Sequence, residues 1–83
     1  MFNFCMSTDE NFASFNDRDT GRVVYVDSFD NREFSVRLGT VEETVEIGTI
    51  LADSDQVLNQ KLHEIVDSRE PQNDNNSRRY KLL

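Results

Sequence analysis

The sequence predicts a small α+β protein, in which a three-stranded antiparallel β-meander packs against one C-terminal amphipathic α-helix. Two segments rich in β-branched and aromatic residues flank a polar turn, and a third follows a glycine. An apolar stripe with helical spacing comes next. One helix on a half-buried sheet is a sufficient two-layer domain, and we place this core at residues 22–67.

An N-terminal arm over residues 1–21 precedes the core. Ser7 and Glu10 have the spacing of a helix capping box, and two phenylalanines three residues apart follow them. This pattern predicts a short helix over residues 8–15.

A β-hairpin opens the core. Residues 22–29 are dense in strand-forming side chains, and residues 34–39 alternate apolar and polar with period two. Placing Phe29 opposite Phe34 leaves a four-residue loop and brings most large side chains to one face. That predicted inner face consists of Val23, Tyr25, Phe29, Phe34, Val36 and Leu38.

A third strand is predicted over residues 44–50, after Gly39, with Val45 and Ile47 on its inner face. A helix is then predicted over residues 54–68.

Asp53 is the expected N-cap of this helix, and Gln56 completes a capping box. The apolar stripe consists of Leu58, Leu62 and Ile65, widened by Val57 and Val66. Residues 68–83 are expected to form a flexible polar linker and a basic, apolar tail, since residues 67–77 contain no apolar side chain.

Composition excludes several classes of protein. The chain has 83 residues and a formal net charge of −7, with one cysteine, one histidine and no tryptophan. One cysteine cannot form an internal disulfide, which favours a reducing compartment, and we expect a cytoplasmic protein. One Cys and one His do not supply a closed zinc site, and the longest apolar run has four residues. We expect no metal, no cofactor and no contact with a membrane.

The sequence shows no set of residues typical of an enzyme. The triplet Asp19-Thr20-Gly21 matches the active-site triplet of aspartic proteases, but polar residues flank it, and we interpret it as a turn. The three glycines stand apart, so no glycine-rich phosphate loop is present. We therefore expect a protein that is not an enzyme.

The acidic charge disfavours direct nucleic-acid binding by the core, but it suits a protein that docks on the basic surface of a nucleic-acid-handling partner. The hypothesis is a non-catalytic protein-binding module, with the size and acidity typical of a microbial or phage-encoded inhibitor or accessory factor. The alternative is a structural or assembly subunit, a homodimer for example, that self-associates through its sheet edge. The candidate partner-binding residues are Glu42, Glu43, Glu46, Asp53, Asp55, Glu64, Asp67, Arg78, Arg79, Tyr80, Leu82 and Leu83.

Overall fold

The computed structural model describes residues 2–69 and contains one antiparallel sheet and one helix. The elements are β1 (Phe12–Asp17), β2 (Arg22–Asp27), β3 (Glu33–Gly39), β4 (Thr44–Leu51) and α1 (Asp55–Arg69). The strands lie in the order β1-β2-β3-β4. The predicted α+β class is confirmed, but the sheet has four strands and not three. Nearly all of the predicted linker and tail lies outside the described residues.

The additional strand is β1, where the sequence predicted a short helix over residues 8–15. The capping-box hydrogen bonds do form: the Ser7 backbone N–H donates to the Glu10 carboxylate at 2.8 Å, and the Glu10 N–H donates to the Ser7 carbonyl at 3.0 Å. They close a turn, and the chain then extends and pairs with β2. The helix prediction was wrong because the same local hydrogen bonds also form in a turn, and the residues that follow pair with β2 as a strand.

The predicted register of the central hairpin was wrong by one residue. Val24 pairs with Leu38 and Val26 with Val36, so the valines face the core and Tyr25 faces the other side. Phe34, Val36 and Leu38 are buried, as predicted. The loop has five residues, 28–32, instead of four.

Polar contacts inside the loop explain its extra residue. The Ser28 hydroxyl accepts from the Asn31 N–H at 2.9 Å and donates to the Glu33 carbonyl at 2.7 Å. Asn31 has a φ of 60°, a conformation that asparagine tolerates better than most residues. These contacts leave no place for Phe29 in the core, and its side chain is fully exposed.

The register between β3 and β4 shifts at one point. Val36 pairs with Gly48, whereas the next residue, Arg37, pairs with Glu46, so Ile47 is skipped. Ile47 is partly buried against the core, whereas Val45, expected on the inner face, is 59% exposed. Gly48 lies opposite Val36, and an added Cβ there would lie 2.8 Å from Cδ1 of Ile65 in α1. A side chain at Gly48 would therefore crowd Ile65 of the helix.

The helix forms within one residue of its predicted limits, but Ser54 caps it and not Asp53. The Ser54 hydroxyl accepts from the Val57 N–H at 3.2 Å, and the Ser54 carbonyl accepts from the Leu58 N–H at 2.9 Å. The side chains that α1 buries completely are Leu58, Leu62 and Val66. No helix among residues 2–69 is long and apolar enough to cross a membrane.

Residues 2–6 belong to the core and do not form an arm outside it. Phe2, Phe4 and Met6 are buried, and the Phe4 ring makes an edge contact with Phe15 of β1 at 5.0 Å. The Asn59 side chain of α1 binds this segment through both backbone polar groups of Met6. Its amide oxygen accepts from the Met6 N–H at 2.7 Å, and its amide nitrogen donates to the Met6 carbonyl at 2.9 Å.

The core therefore lies between one face of the sheet and a layer made of α1 and residues 2–6. Within the described part of the chain, no helix or strand covers the opposite face. We call this opposite face the open face.

Candidate functional site

The seven candidate carboxylates in the described residues are all exposed, but they do not form one surface. Glu42 and Glu43 lie in the turn before β4, and Asp53 and Asp55 follow its other end. β4 has eight residues, which at about 3.3 Å per residue separate these two pairs by more than about 20 Å.

Several of these carboxylates already have partners inside the fold. The Asp55 carboxylate accepts from the Thr8 N–H at 2.8 Å and from the Thr8 hydroxyl at 3.1 Å, so it joins α1 to the N-terminal segment. The Gln60 amide lies 3.4 Å from the Glu64 carboxylate. Asp67 is exposed on the last turns of α1.

Glu46 lies on the open face, in register with Arg37 of β3. The Arg37 guanidinium donates to the Thr44 hydroxyl and to the Thr44 carbonyl, both at 3.1 Å. The candidate residues Arg78, Arg79, Tyr80, Leu82 and Leu83 lie outside the described residues.

The open face brings together aromatic residues that the sequence analysis placed elsewhere. Phe12 of β1 and Tyr25 of β2 stack with their ring centroids 6.2 Å apart and their planes 23° from parallel. Phe12 is 57% exposed at the start of the edge strand β1, where it is in register with Asp27 at the end of β2. A stacked aromatic pair thus faces away from the core.

A hollow of about 300 Å³ lies next to this pair, at the end of the β2–β3 hairpin. Its lining consists of Asp27, Ser28, Phe29, Asp30, Glu33 and Ser35. Three of these six residues are acidic and none is basic. We call the group formed by Phe12, Tyr25, Asp27, Phe29, Asp30 and Glu33 the aromatic–acidic patch.

Hydrogen bonds hold the loop beneath Phe29 in one shape. The Asp30 carboxylate accepts from the backbone N–H groups of Arg32 and Glu33, each at 3.0 Å. The hydrogen bonds from Glu33 and then Arg32 favour the ionised form and lower the pKa of Asp30 from its ordinary value. The Asn31 amide donates to the Thr8 and Glu10 carbonyls, which ties the loop to the N-terminal turn.

The aromatic–acidic patch was not predicted from the sequence, because the one-residue register error assigned Tyr25 and Phe29 to the core. The predicted helix over residues 8–15 separated Phe12 from the sheet. The loop sequence held a usable signal, since Ser28, Asp30 and Asn31 surround Phe29 with residues that favour turns. A phenylalanine among such residues is difficult to bury.

The other chemical motifs of the sequence lie apart from the aromatic–acidic patch. The segment Asp17–Gly21 forms the β1–β2 turn: the Gly21 N–H donates to the Asp17 carbonyl at 2.8 Å, and Gly21 has a φ of 74°. Cys5 is exposed, and His63 makes an edge contact with the Phe4 ring at 4.8 Å. Within residues 2–69, no group of three or more His, Cys, Asp or Glu side chains is placed to hold a metal ion.

Comparison of the chain with protein-family models, with curated proteins and with solved structures finds no match.

Proposed function

We propose that this chain is a small acidic protein-binding module, which docks on a basic surface of a partner and does not catalyse a reaction. A partner that handles nucleic acid offers such a surface, as for a microbial or phage-encoded inhibitor or accessory factor. The open sheet face carries the proposal, because it presents exposed aromatic rings beside carboxylates with no covering element in the described residues. Aromatic residues are enriched in the centres of protein interfaces.

Charge supports the choice of a basic partner. Residues 2–69 contain fourteen acidic and six basic residues, and the full chain has a formal net charge of −7. A surface of this sign repels nucleic acid and attracts cationic proteins, and the attraction speeds association at low salt. Glu42, Glu43 and Glu46 add exposed negative charge at the start of β4, outside the aromatic–acidic patch.

A pull-down from a bacterial lysate tests the proposal. The tagged full chain should retain a nucleic-acid-binding protein at low salt and release it at high salt, because surface charges are screened. Added DNA should compete with the chain for the captured protein.

Two matched double variants distinguish the effect of a specific binding site from the effect of net charge. Glu42→Gln with Glu43→Gln removes two candidate charges, and Asp9→Asn with Asp19→Asn removes two exposed charges elsewhere. Loss of capture with the first pair only would support a role in binding for the carboxylates at the start of β4. Capture that survives high salt, or a bound protein with no basic surface, would contradict the proposal.

The alternative function is a structural subunit that self-associates through an edge of the sheet. β4 is an edge strand, and its Val45 and Leu51 side chains are 59% and 66% exposed. Assembly by apolar burial should persist or tighten as salt rises, whereas charge-driven docking should weaken. Light scattering of the purified chain at low and high salt therefore distinguishes the two functions.

A further inference from the structure

We infer that the hollow beside Phe29 receives an arginine side chain from the protein partner, with the guanidinium stacked on Phe29 and facing Asp27 and Glu33. The inference rests on the proposed function and specifies where the partner docks and by which side chain.

The shape of the hollow suits one long side chain. Its volume of about 300 Å³ is at the lower end of the range for small-molecule sites, and it opens on the sheet surface. Its lining includes Ser28, Asp30 and Ser35, and the loop is held by hydrogen bonds from the Asn31 N–H to the Ser28 hydroxyl and from the Arg32 N–H to the Asp30 carboxylate. The site is therefore formed before a partner arrives, which lowers the entropic cost of binding.

The charges around the hollow specify a cation. Among the described residues, no hydrogen bond to the Asp27 or Glu33 carboxylate is present, and both residues are exposed. Asp30 adds a third negative charge, and no basic residue lines the hollow. A partner cation that enters here meets three carboxylates and displaces no cation of this chain.

The aromatic rings favour arginine over lysine. A planar guanidinium stacks on an aromatic face and donates two parallel hydrogen bonds to a carboxylate, whereas an ammonium acts as a point charge. Phe29 is fully exposed, with Phe12 and Tyr25 stacked nearby on the same face. Apolar residues on either side of the arginine would cover these rings.

A second copy of this chain does not fit the hollow. Each copy has a formal net charge of −7, and pairing two open faces would bring carboxylates against carboxylates. Charge complementarity therefore selects a basic partner.

The test is an NMR titration of the ¹⁵N-labelled full chain with the blocked peptide acetyl-Gly-Leu-Arg-Leu-Gly-amide. The control peptide replaces arginine with citrulline, which has the same shape without the charge. We expect the arginine peptide to shift the backbone amides of residues 27–35, and the citrulline peptide to leave them unchanged. Equal shifts with both peptides, or shifts confined to other elements, would overturn the inference.

Matched variants make the test specific. Phe29→Ala should weaken peptide binding by about fivefold or more, and Glu33→Gln by about threefold. Val41→Ala and Asp19→Asn remove an exposed apolar group and an exposed carboxylate outside the patch, and should change affinity by less than about twofold. Unchanged binding by Phe29→Ala would contradict the site.

The same variants distinguish the inference from the proposed function. If Phe29→Ala captures the basic protein from lysate as well as the wild type, the inference fails and the proposed function stands. If the wild type captures no basic protein, the proposed function fails even where the peptide binds. A dimer that depends on Phe29 would assign the hollow to a second copy. Patch amides that move in an Arg78→Gln, Arg79→Gln variant without peptide would assign it to the chain's own arginines, and either result overturns the inference.

Discussion

Phe4 and Phe29 carry the same side chain in opposite environments. Phe4 is 7% exposed and contacts three rings, those of Phe2, Phe15 and His63, whereas Phe29 extends fully into solvent. We expect Phe4→Ala to lower the free energy of unfolding by about 3–5 kcal/mol, since truncating a buried ring loses transfer energy and leaves a cavity. Phe29→Ala should change it by less than about 0.5 kcal/mol. Urea denaturation followed by circular dichroism measures both.

The two results together test the core as described. Similar costs for both variants would show that residues 2–6 do not pack as the structure has them. A large cost for Phe29→Ala alone would show that its ring is buried in solution.

Asp30 makes the stability of the hairpin loop depend on pH. Because its pKa is lowered in the folded state, ionised Asp30 stabilises the fold above its ordinary pKa of 3.8. This stabilisation is lost as the pH falls from there through the lower, folded-state pKa. We expect Asp30→Asn to be less stable than the wild type at about pH 7, and the difference to narrow at about pH 3.

Chemical denaturation at the two pH values measures this difference. The control is Asp9→Asn, at an exposed aspartate in the turn before β1, and it should show a smaller difference at about pH 7. A stability gap for Asp30→Asn that stays constant between the two pH values would contradict a role for the ionised carboxylate.

Gly48 lies within strand β4 and faces Ile65 of helix α1. Its φ is 152°, which side chains rarely adopt, and an added Cβ would lie 2.8 Å from Ile65 Cδ1. We expect Gly48→Ala to lower the free energy of unfolding by about 1–3 kcal/mol, chiefly through backbone strain, because the end of the Ile65 side chain can move. Thermal unfolding measures the loss.

Two further variants separate strain from crowding. Gly48→Ala combined with Ile65→Val removes the crowded methyl group and should not restore stability if the backbone is the cause. Gly21→Asn provides the comparison, since Gly21 has a φ of 74° in open space, where asparagine is tolerated. Full rescue by Ile65→Val would assign the cost to crowding instead.

At the scale of elements, the sequence predicts those whose periodicity is clear. The helix repeats Leu58 and Leu62 on one face, and β3 alternates Phe34, Val36 and Leu38 with polar residues. The four successive apolar residues 23–26 could face the core with either the odd-numbered or the even-numbered side chains. The register therefore depended on the length of the following loop, which its own hydrogen bonds determine.

The N-terminal segment shows a signal that could have been used. Phe2, Phe4 and Met6 alternate with polar or small residues, and this period of two is typical of an extended segment with one buried face. Their partners on α1 lie more than fifty residues away, and no local rule identifies them.

The sequence predicted the negative charge of the candidate site but not where its residues lie. The sequence identifies exposed carboxylates, but proximity along the chain grouped Glu42 with Glu43 and Asp53 with Asp55, and the fold places these pairs at opposite ends of β4. The aromatic–acidic patch draws its residues from β1, β2, β3 and one loop. Such a patch exists only once the register is known.

For the whole molecule, the acidic charge should act on folding and on binding in opposite directions. A net charge of −7 on 83 residues destabilises the compact state through self-repulsion, which salt screens. We expect the melting temperature to rise by a few degrees between about 20 mM and about 500 mM NaCl, while affinity for a basic partner falls.

Differential scanning fluorimetry and the peptide titration, run in the same buffers, measure the two effects. A basic protein of similar size serves as the control for general effects of salt. Parallel changes in stability and affinity would show that apolar burial, and not charge, dominates the contact.

The contact between Asn59 and Met6 spans 53 positions of the chain, and this separation bears on how the protein is made. The ribosome adds about 5–20 residues per second, so about 3–10 s pass between the synthesis of Met6 and that of Asn59. During that interval Phe2 and Phe4 have no helix to pack against. Until α1 is synthesised, the nascent chain therefore carries two unshielded rings, which chaperones that recognise apolar segments can bind.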